Sequence, residues 1–173
     1  GLSVAVFEAH YTAGGCATQF TRGPKAERWC FDVGLHYVGD CREGGTIPRI
    51  LGDLGVEVEF AELDPLGFDT LVYPDLRFAI PADLELYRDR LVTAFPHERR
   101  GIDKYVALVR AVMRTGRLLE RSEGRRPPLI ELAKVALDGL RLTPHMNATM
   151  ADVLDATIRD PRCRAVVLGQ SGD

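Results

Sequence analysis

The amino-terminal stretch of the chain, residues 1–18, places the strongest constraint on its fold. Residues 2–7 form a short apolar run rich in β-branched and aromatic side chains, which is typical of a buried parallel strand. An acid, Glu8, ends the run, and the pair Gly14-Gly15 follows six residues later. A glycine pair allows positive φ and lets the backbone approach a ligand where a Cβ atom would collide. The stretch therefore predicts a strand that leads into a ligand-contacting turn.

Glu8 has the chemistry expected of a residue that binds a nucleotide ribose. In a doubly wound fold, a carboxylate at the carboxyl end of the second strand accepts hydrogen bonds from the adenosine ribose hydroxyls. The alternative is an ordinary solvated acid at the end of a strand. The glycine pair that follows Glu8 favours the ribose-binding interpretation.

Two motifs carry a resemblance to a known superfamily. The order strand, acid, short linker, Gly14-Gly15, small residue and Thr18 resembles the second half of the flavin-binding signature of FAD-dependent amine oxidases and phytoene desaturases. Residues 30–39, Cys-Phe-Asp-Val-Gly-Leu-His-Tyr-Val-Gly, are similar to a segment of retinol saturases and related carotenoid desaturases and isomerases. Cys16 indicates the same branch, since amine oxidases usually carry arginine after the glycine pair. The resemblance is specific over roughly the first forty residues.

This resemblance implies an α/β fold in two parts. Residues 1–60 would be an incomplete, Rossmann-like FAD-binding domain, and residues 61–173 the start of a substrate domain, with a hairpin followed by helices. The implied activity is that of an FAD-dependent oxidoreductase acting on carbon–carbon bonds of a lipophilic polyene, by carotenoid- or retinoid-like desaturation, saturation or isomerisation. In such enzymes the flavin carries the reaction, while the protein supplies position, a dry cavity and electrostatics.

The resemblance also implies a set of cofactor-binding residues. Glu8 would anchor the ribose, the turn 14–18 would run past the pyrophosphate and the ring, and residues 34–37 would face the flavin. His36 is in addition a candidate acid or base, because imidazole titrates near neutral pH, but a packed or flavin-lining histidine is favoured. The full set comprises Glu8, Gly14, Gly15, Thr18, Gly34, His36 and Tyr37.

The glycine-rich fingerprint of the family is missing from this sequence. It normally lies about twenty residues upstream of the ribose-binding acid, and the chain begins too close to Glu8 to contain it. We therefore expect the chain to be a fragment of a longer flavoprotein, inactive by itself. We also expect weak FAD binding, since the pyrophosphate normally sits on the amino terminus of the first helix.

Composition restricts the other classes of function. The 173 residues have 46% hydrophobic content and a net charge of −3, which argues against a nucleic-acid-binding surface. The four cysteines have no C-x-x-C spacing, so they predict reduced thiols rather than a metal site. No run reaches the roughly eighteen apolar residues of a membrane span. We expect a cytoplasmic or peripheral membrane location and a lipophilic small-molecule substrate, and the oligomeric state is left open.

One basic run has two interpretations. Arg117, Arg121, Arg125 and Arg126 follow one another at helical spacing next to apolar helices. They could rest on an anionic membrane surface. A solvated helix face is the default.

Periodicity and turn residues predict the remaining elements. The predicted caps are Gly55 behind the first helix and Thr149 and Asp160 in front of the last two. The predicted elements are strands at 17–22, 28–33 and 56–60, a hairpin of 68–73 and 76–80, and helices from Thr46, over 82–95, from Ile102 into the run 117–126, and over 129–142, 150–157 and 162–168.

Two other functions stay open from the sequence. A flavin amine oxidase would also begin with a strand, an acid and a glycine pair, although Cys16 and the segment 30–39 disfavour it. A non-enzymatic helical interaction module is the second alternative, and a colourless full-length protein would support it.

Overall fold

A computed structural model describes residues 2–25, 27–35, 37–121 and 128–169, without the side chains of residues 119–121. The chain divides into two units, residues 1–61 and 62–173. The division lies beside the sequence boundary at residue 61. The assignment of the two parts to a cofactor domain and a substrate domain stays a prediction.

The first unit contains one hairpin and one helix. Strands β1 (Gln19–Arg22) and β2 (Trp29–Asp32) pair antiparallel, with Phe20 opposite Phe31 and their rings stacked at 5.4 Å between centroids. Helix α1 spans Thr46–Asp53, and Gly55 follows it at φ +70°, the left-handed conformation that ends many helices. The predicted strands at 17–22 and 28–33 and the helix from Thr46 are therefore confirmed.

Two predicted strands of the first unit are wrong. Residues 2–7 and 56–60 have no regular structure, and Leu2 and Phe7 are each 94% exposed. An apolar run becomes a parallel strand only when neighbouring strands satisfy its backbone groups on both sides. Within the described part of this unit, the sheet consists of β1 and β2 alone. The mixed α/β class is confirmed, whereas the Rossmann-like arrangement stays a prediction.

The second unit begins with a hairpin and continues as helices. Strands β3 (Asp69–Tyr73) and β4 (Leu76–Ile80) pair antiparallel, with Asp69 opposite Ile80 and Tyr73 opposite Leu76. The predicted hairpin and helices are confirmed, except that residues 122–127, which include Arg125 and Arg126, lie outside the described residues. The helices are α2 (Leu84–Ala94), α3 (Arg99–Arg121), α4 (Leu129–Leu142), α5 (Met150–Thr157) and α6 (Pro161–Leu168), with single 3₁₀ turns at Pro96–Glu98 and Thr143–His145.

Side-chain caps define where these helices begin. Thr149 and Asp152 form a reciprocal capping box at the start of α5. The Asp160 carboxylate accepts hydrogen bonds from the backbone N–H groups of Arg162 and Cys163 at the start of α6. Both predicted caps are confirmed. Asp83, which the sequence did not single out as a cap, accepts from Leu86 N–H at the start of α2.

The described buried core lies entirely in the second unit. Leu91 of α2 and Ile102 of α3 are fully buried in it, and burial of one such side chain contributes about 1.5–3 kcal/mol. None of the described residues of α4 belongs to this core. The core side chains are Phe78, Ile80, Leu91, Phe95, Ile102, Val106, Leu154, Ile158, Cys163, Val166 and Val167.

Gly101 lets α3 approach the end of α5 closely. A Cβ atom built on Gly101 would lie 2.0 Å from the carbonyl oxygen of Thr157, closer than any real contact. Glycine at this position therefore allows Ile102 and Val106, which follow on α3, to reach the core beside Leu154 and Ile158.

We expect Gly101→Ala to lower the free energy of unfolding by about 1–3 kcal/mol, because the added methyl group forces the two segments apart. Gly116→Ala is the matched control on the same helix, since nothing lies within 4 Å of its Cβ position. The control should gain up to about 1 kcal/mol from helix propensity. Urea unfolding followed by circular dichroism measures both changes, and equal stability of the two variants would contradict the described contact.

We expect Cys163 to resist alkylation in the folded chain. It is fully buried, and desolvation together with the charges of Glu98 and Asp160 raises its pKa to about 12. Since the thiolate is the reactive form, iodoacetamide at pH 8 should modify the exposed Cys16 and Cys30 first. Peptide mass spectrometry with and without denaturant measures this order. Modification of native Cys163 at the rate of Cys16 would contradict it.

Candidate functional site

The glycine pair forms a tight turn before β1. Gly14 has φ +122° and Gly15 has φ +55°, and L side chains rarely adopt such values. Ala17 N–H donates to the Gly14 carbonyl at 2.9 Å, and the Thr18 hydroxyl donates to the Gly15 carbonyl at 2.9 Å. No described atom lies within 4 Å of the Cβ position of Gly15. The turn therefore presents an open stretch of backbone.

The structure brings this turn to the second sequence motif. Val33 N–H donates to the Thr18 carbonyl at 3.0 Å, and Gly34 N–H donates to the Cys16 carbonyl at 3.2 Å. A Cβ atom on Gly34 would lie 3.2 Å from Cys16 Cβ, so a glycine suits this close approach. Backbone hydrogen bonds thus join the turn that contains Gly14, Gly15 and Thr18 to the segment at Gly34.

Glu8 is held by a local contact. Its Oε1 accepts a hydrogen bond from His10 N–H at 2.9 Å, two residues along the chain. This bond does not tie Glu8 to the hairpin, so the structure does not join it to the turn at Gly14. The side chain is exposed and accessible to a ligand hydroxyl. Its role as a ribose anchor stays a prediction.

The last two predicted residues follow Gly34. His36 lies outside the described residues, and so its flavin-lining and acid–base roles stay predictions. Tyr37 is described and 44% exposed. The open backbone at Gly15 would let a flavin approach without a side-chain collision. For the pyrophosphate the fit is incomplete, because a strand rather than a helix follows the described glycine turn.

A second group of titratable side chains lies in the helical unit, and sequence reasoning missed most of it. The His97 Nε2 and Asp160 Oδ2 atoms are 2.7 Å apart. Burial raises the pKa of Asp160, but hydrogen bonds from His97 and from the N–H groups of Cys163 and Arg162 outweigh burial and lower it. The buried Glu98 accepts backbone hydrogen bonds from Arg159 at 2.9 Å and Asp160 at 2.6 Å.

Both acids bind backbone N–H groups. Glu98 Oε1 and Asp160 Oδ1 each accept two backbone hydrogen bonds from residues 159–163, and Glu98 thereby links the turn between α5 and α6 to the turn before α3. Asp160 could be found from the sequence as a cap, since it precedes a proline at the first position of a helix. The sequence around Glu98 does not indicate its role, because its hydrogen-bond partners are 61 and 62 residues away.

An open cleft of about 430 Å³ lies between α3, α5 and the end of α4. Its wall mixes apolar surface with the basic side chains of Lys104, Arg141 and His145. The sequence did not predict this cleft, because α3, α4, α5 and the 3₁₀ turn Thr143–His145 all contribute to it. The other lining residues are Asp103, Ala107, Leu108, Ala156 and Thr157.

The described part of the chain lacks two further kinds of site, a metal centre and a membrane span. Its histidine, cysteine, aspartate and glutamate residues form no group that could hold a metal ion. None of its helices combines the length and the apolar composition needed to cross a membrane.

The chain is similar to curated proteins named all-trans-retinol 13,14-reductase. The relative from Danio rerio is 34% identical over 119 residues, and that from Homo sapiens is 36% identical over 120 residues. The relative from Rattus norvegicus is 35% identical over 120 residues. Each match covers 65% of this chain but 18% of the relative's length.

These similarities support the relationship to retinol saturases predicted from residues 16 and 30–39. No protein-family model matches the chain. No solved structure matches it either.

Proposed function

We propose that this chain is part of an FAD-dependent oxidoreductase that saturates a carbon–carbon double bond of a retinoid-like polyene. The similarity to proteins named all-trans-retinol 13,14-reductase carries the proposal. The meeting of the turn 14–18 with Gly34 supports it, since the resemblance gives both segments to the flavin site. When bound and reduced, FAD would supply the hydride that saturation of the double bond requires, together with a proton.

In this proposal the residues of the chain bind the cofactor and orient it. The Glu8 carboxylate accepts hydrogen bonds from the ribose hydroxyls. The open backbone at Gly15 allows the cofactor to approach without a side-chain collision. Residues 34–37 line the ring, and His36 is the proposed but weakest candidate for moving a proton.

We also propose that the chain functions only as part of a longer polypeptide. The chain spans 18% of the length of the curated relatives it matches. None of the described side chains of residues 2–61 is buried, so this unit has little apolar burial with which to hold a cofactor surface rigid. A pyrophosphate site on a helix amino terminus would come from the longer polypeptide.

A non-enzymatic helical interaction module is the second candidate. The confinement of the described core to residues 62–173 favours it, because that unit can hold its fold without a cofactor. A flavin amine oxidase is less well supported, because the similar proteins carry the name of a retinol reductase.

We expect the 173-residue chain alone to bind FAD weakly or not at all. The described glycine turn offers backbone contacts but no helix amino terminus for the pyrophosphate. The chain would be mixed with FAD, passed through gel filtration and examined by its absorption at visible wavelengths. Copurification of one FAD per chain would contradict this expectation.

We expect the longer polypeptide to purify yellow and Glu8→Ala to weaken its FAD binding about ten- to hundredfold, the loss expected for hydrogen bonds to a charged group. FAD fluorescence titration measures the dissociation constant. Glu57→Ala is the matched control, since Glu57 is another exposed acid of the same unit. Unchanged affinity in Glu8→Ala would contradict the ribose role, whereas a colourless parent protein would favour the interaction module.

The activity is tested on the same longer polypeptide. With the flavin chemically reduced under anaerobic conditions, we expect the polyene absorption of all-trans-retinol to shift to shorter wavelength as one double bond is saturated. A yellow protein that leaves retinol and related polyenes unchanged would contradict the proposed substrate class but not the flavin site.

A further inference from the structure

The cleft between α3, α5 and the end of α4 has the size and lining of a small-molecule site. Its volume of about 430 Å³ falls in the range of ligand pockets, which usually combine an apolar wall with a few polar groups. The apolar wall consists of Ala107, Leu108 and Ala156, and most of the charged and polar groups are basic. A ligand that fills this cleft therefore needs an apolar body.

Two walls of the cleft are held together by the backbone contact at Gly101. Thr157 lines the cleft, and its carbonyl oxygen is the atom with which a Cβ on Gly101 would collide. Lys104 follows Gly101 on α3 by about one turn. Ala107 and Leu108 follow Lys104 by three and four residues, so these side chains lie on the same side of the helix. The cleft thus belongs to the junction of α3 and α5.

The acid among the lining residues is engaged elsewhere. Asp103 Oδ1 lies 2.7 Å from both Nε and Nη2 of Arg88 on α2. Lys104, the next residue, forms no ion pair with any residue that the structure describes. Within the described residues, the ammonium group of one lining residue therefore lacks an anionic partner.

Arg141 and His145 supply further hydrogen-bond donors. Arg141 lies 3.9 Å from Asp138, but this carboxylate is closer to Arg114, at 3.3 Å, so one negative charge is shared by two guanidinium groups. The Arg141 side chain is 55% exposed, and its guanidinium has more N–H groups than this one ion pair uses. His145 is half-buried, and its imidazole makes no hydrogen bond with a described residue. Both side chains can therefore donate to a ligand in the cleft.

We propose that this cleft binds a small organic carboxylate with an aliphatic body, of the type of a medium-chain fatty acid. The carboxylate lies among the basic side chains, where Arg141 offers parallel N–H donors and Lys104 a compact charge. The hydrocarbon chain lies along the apolar wall and removes it from water. An inorganic anion would leave the apolar wall hydrated, and a neutral alcohol would leave Lys104 without a counter-charge.

The test titrates octanoate into the 173-residue chain by isothermal titration calorimetry. We expect saturable binding of one octanoate per chain, tighter than that of hexanoate by up to about fourfold for each added CH₂ group. Octanol and inorganic phosphate each carry one half of the chemistry of the proposed ligand. Each should bind at least about tenfold more weakly than octanoate, because it leaves either the charges or the apolar wall without a partner.

Two cleft variants have matched controls outside the cleft. Lys104→Gln removes the unpaired charge and should weaken octanoate binding about tenfold, whereas Lys134→Gln removes an exposed charge of α4 and should have no effect. Ala156→Leu fills the space beside the apolar wall and should weaken binding at least as much, whereas Ala136→Leu enlarges an exposed alanine of α4 without effect. All four positions are exposed, so these substitutions leave the core unchanged.

Proton NMR of the imidazole groups locates the ligand. The chain has 4 histidines, and the His145 resonance is assigned with the variant His145→Gln. Octanoate should shift the His145 resonance and leave that of His97 unchanged, since His97 pairs with Asp160 and neither residue lines the cleft. An unshifted His145 resonance at saturation would place the ligand elsewhere and contradict the proposal.

Three other results would overturn the proposal. The first is equal octanoate binding by the original chain and both cleft variants, or no saturable binding up to about 10 mM octanoate. The second is octanol or phosphate binding as tightly as octanoate, because the site would then select only one half of the proposed chemistry. The third is loss of octanoate binding in the longer polypeptide, since further chain would then cover the cleft.

This inference is independent of the proposed reaction. Octanoate binding is measured without flavin and without polyene, so a colourless protein that still binds octanoate would contradict the proposed function alone.

Discussion

The helical unit depends on the close approach of α3 to the end of α5 at Gly101. A side chain there would collide with the carbonyl of Thr157, and the same junction carries the hydrogen bonds from Arg159 and Asp160 to the buried Glu98. With the two segments in contact, Ile102 and Val106 reach a core completed by α6. The hydrophobic effect supplies the stability of this core. The absence of a Cβ atom at Gly101 allows its geometry.

The first unit is built on a different balance. Its order comes from backbone hydrogen bonds, from the stacked pair Phe20 and Phe31, and from glycine conformations that close the turn at Gly14. Such contacts define a local shape without burying much apolar surface. A unit held in this way can become more rigid when a ligand or a further segment of polypeptide packs against it. The proposed flavin site requires this.

Local signals made much of the secondary structure predictable. The hairpin at residues 68–80 was predicted from two apolar runs around Pro74-Asp75, and the caps Thr149 and Asp160 from their position before apolar helices. The predicted strands at 2–7 and 56–60 were wrong, because a strand needs pairing partners that a short apolar run cannot specify. Likewise, the cleft beside Lys104 and the partners of Glu98 arise from segments far apart in sequence. Within the candidate site, the glycine pair predicted a turn with positive φ at residues 14 and 15, whereas the contact between Gly34 and Cys16 needed the structure.

The ion pair between Arg114 of α3 and Asp138 of α4 also bears on motion. Asp138 and Arg114 place a charge pair between α4 and α3, and none of the described residues of α4 belongs to the core cluster. Separation of α4 from α3 would break this charge pair, and hydration of the two separated charges would offset much of the lost interaction energy. Because α4 contributes no described side chain to the core cluster, its amides are expected to exchange hydrogen for deuterium earlier than those of the core helices.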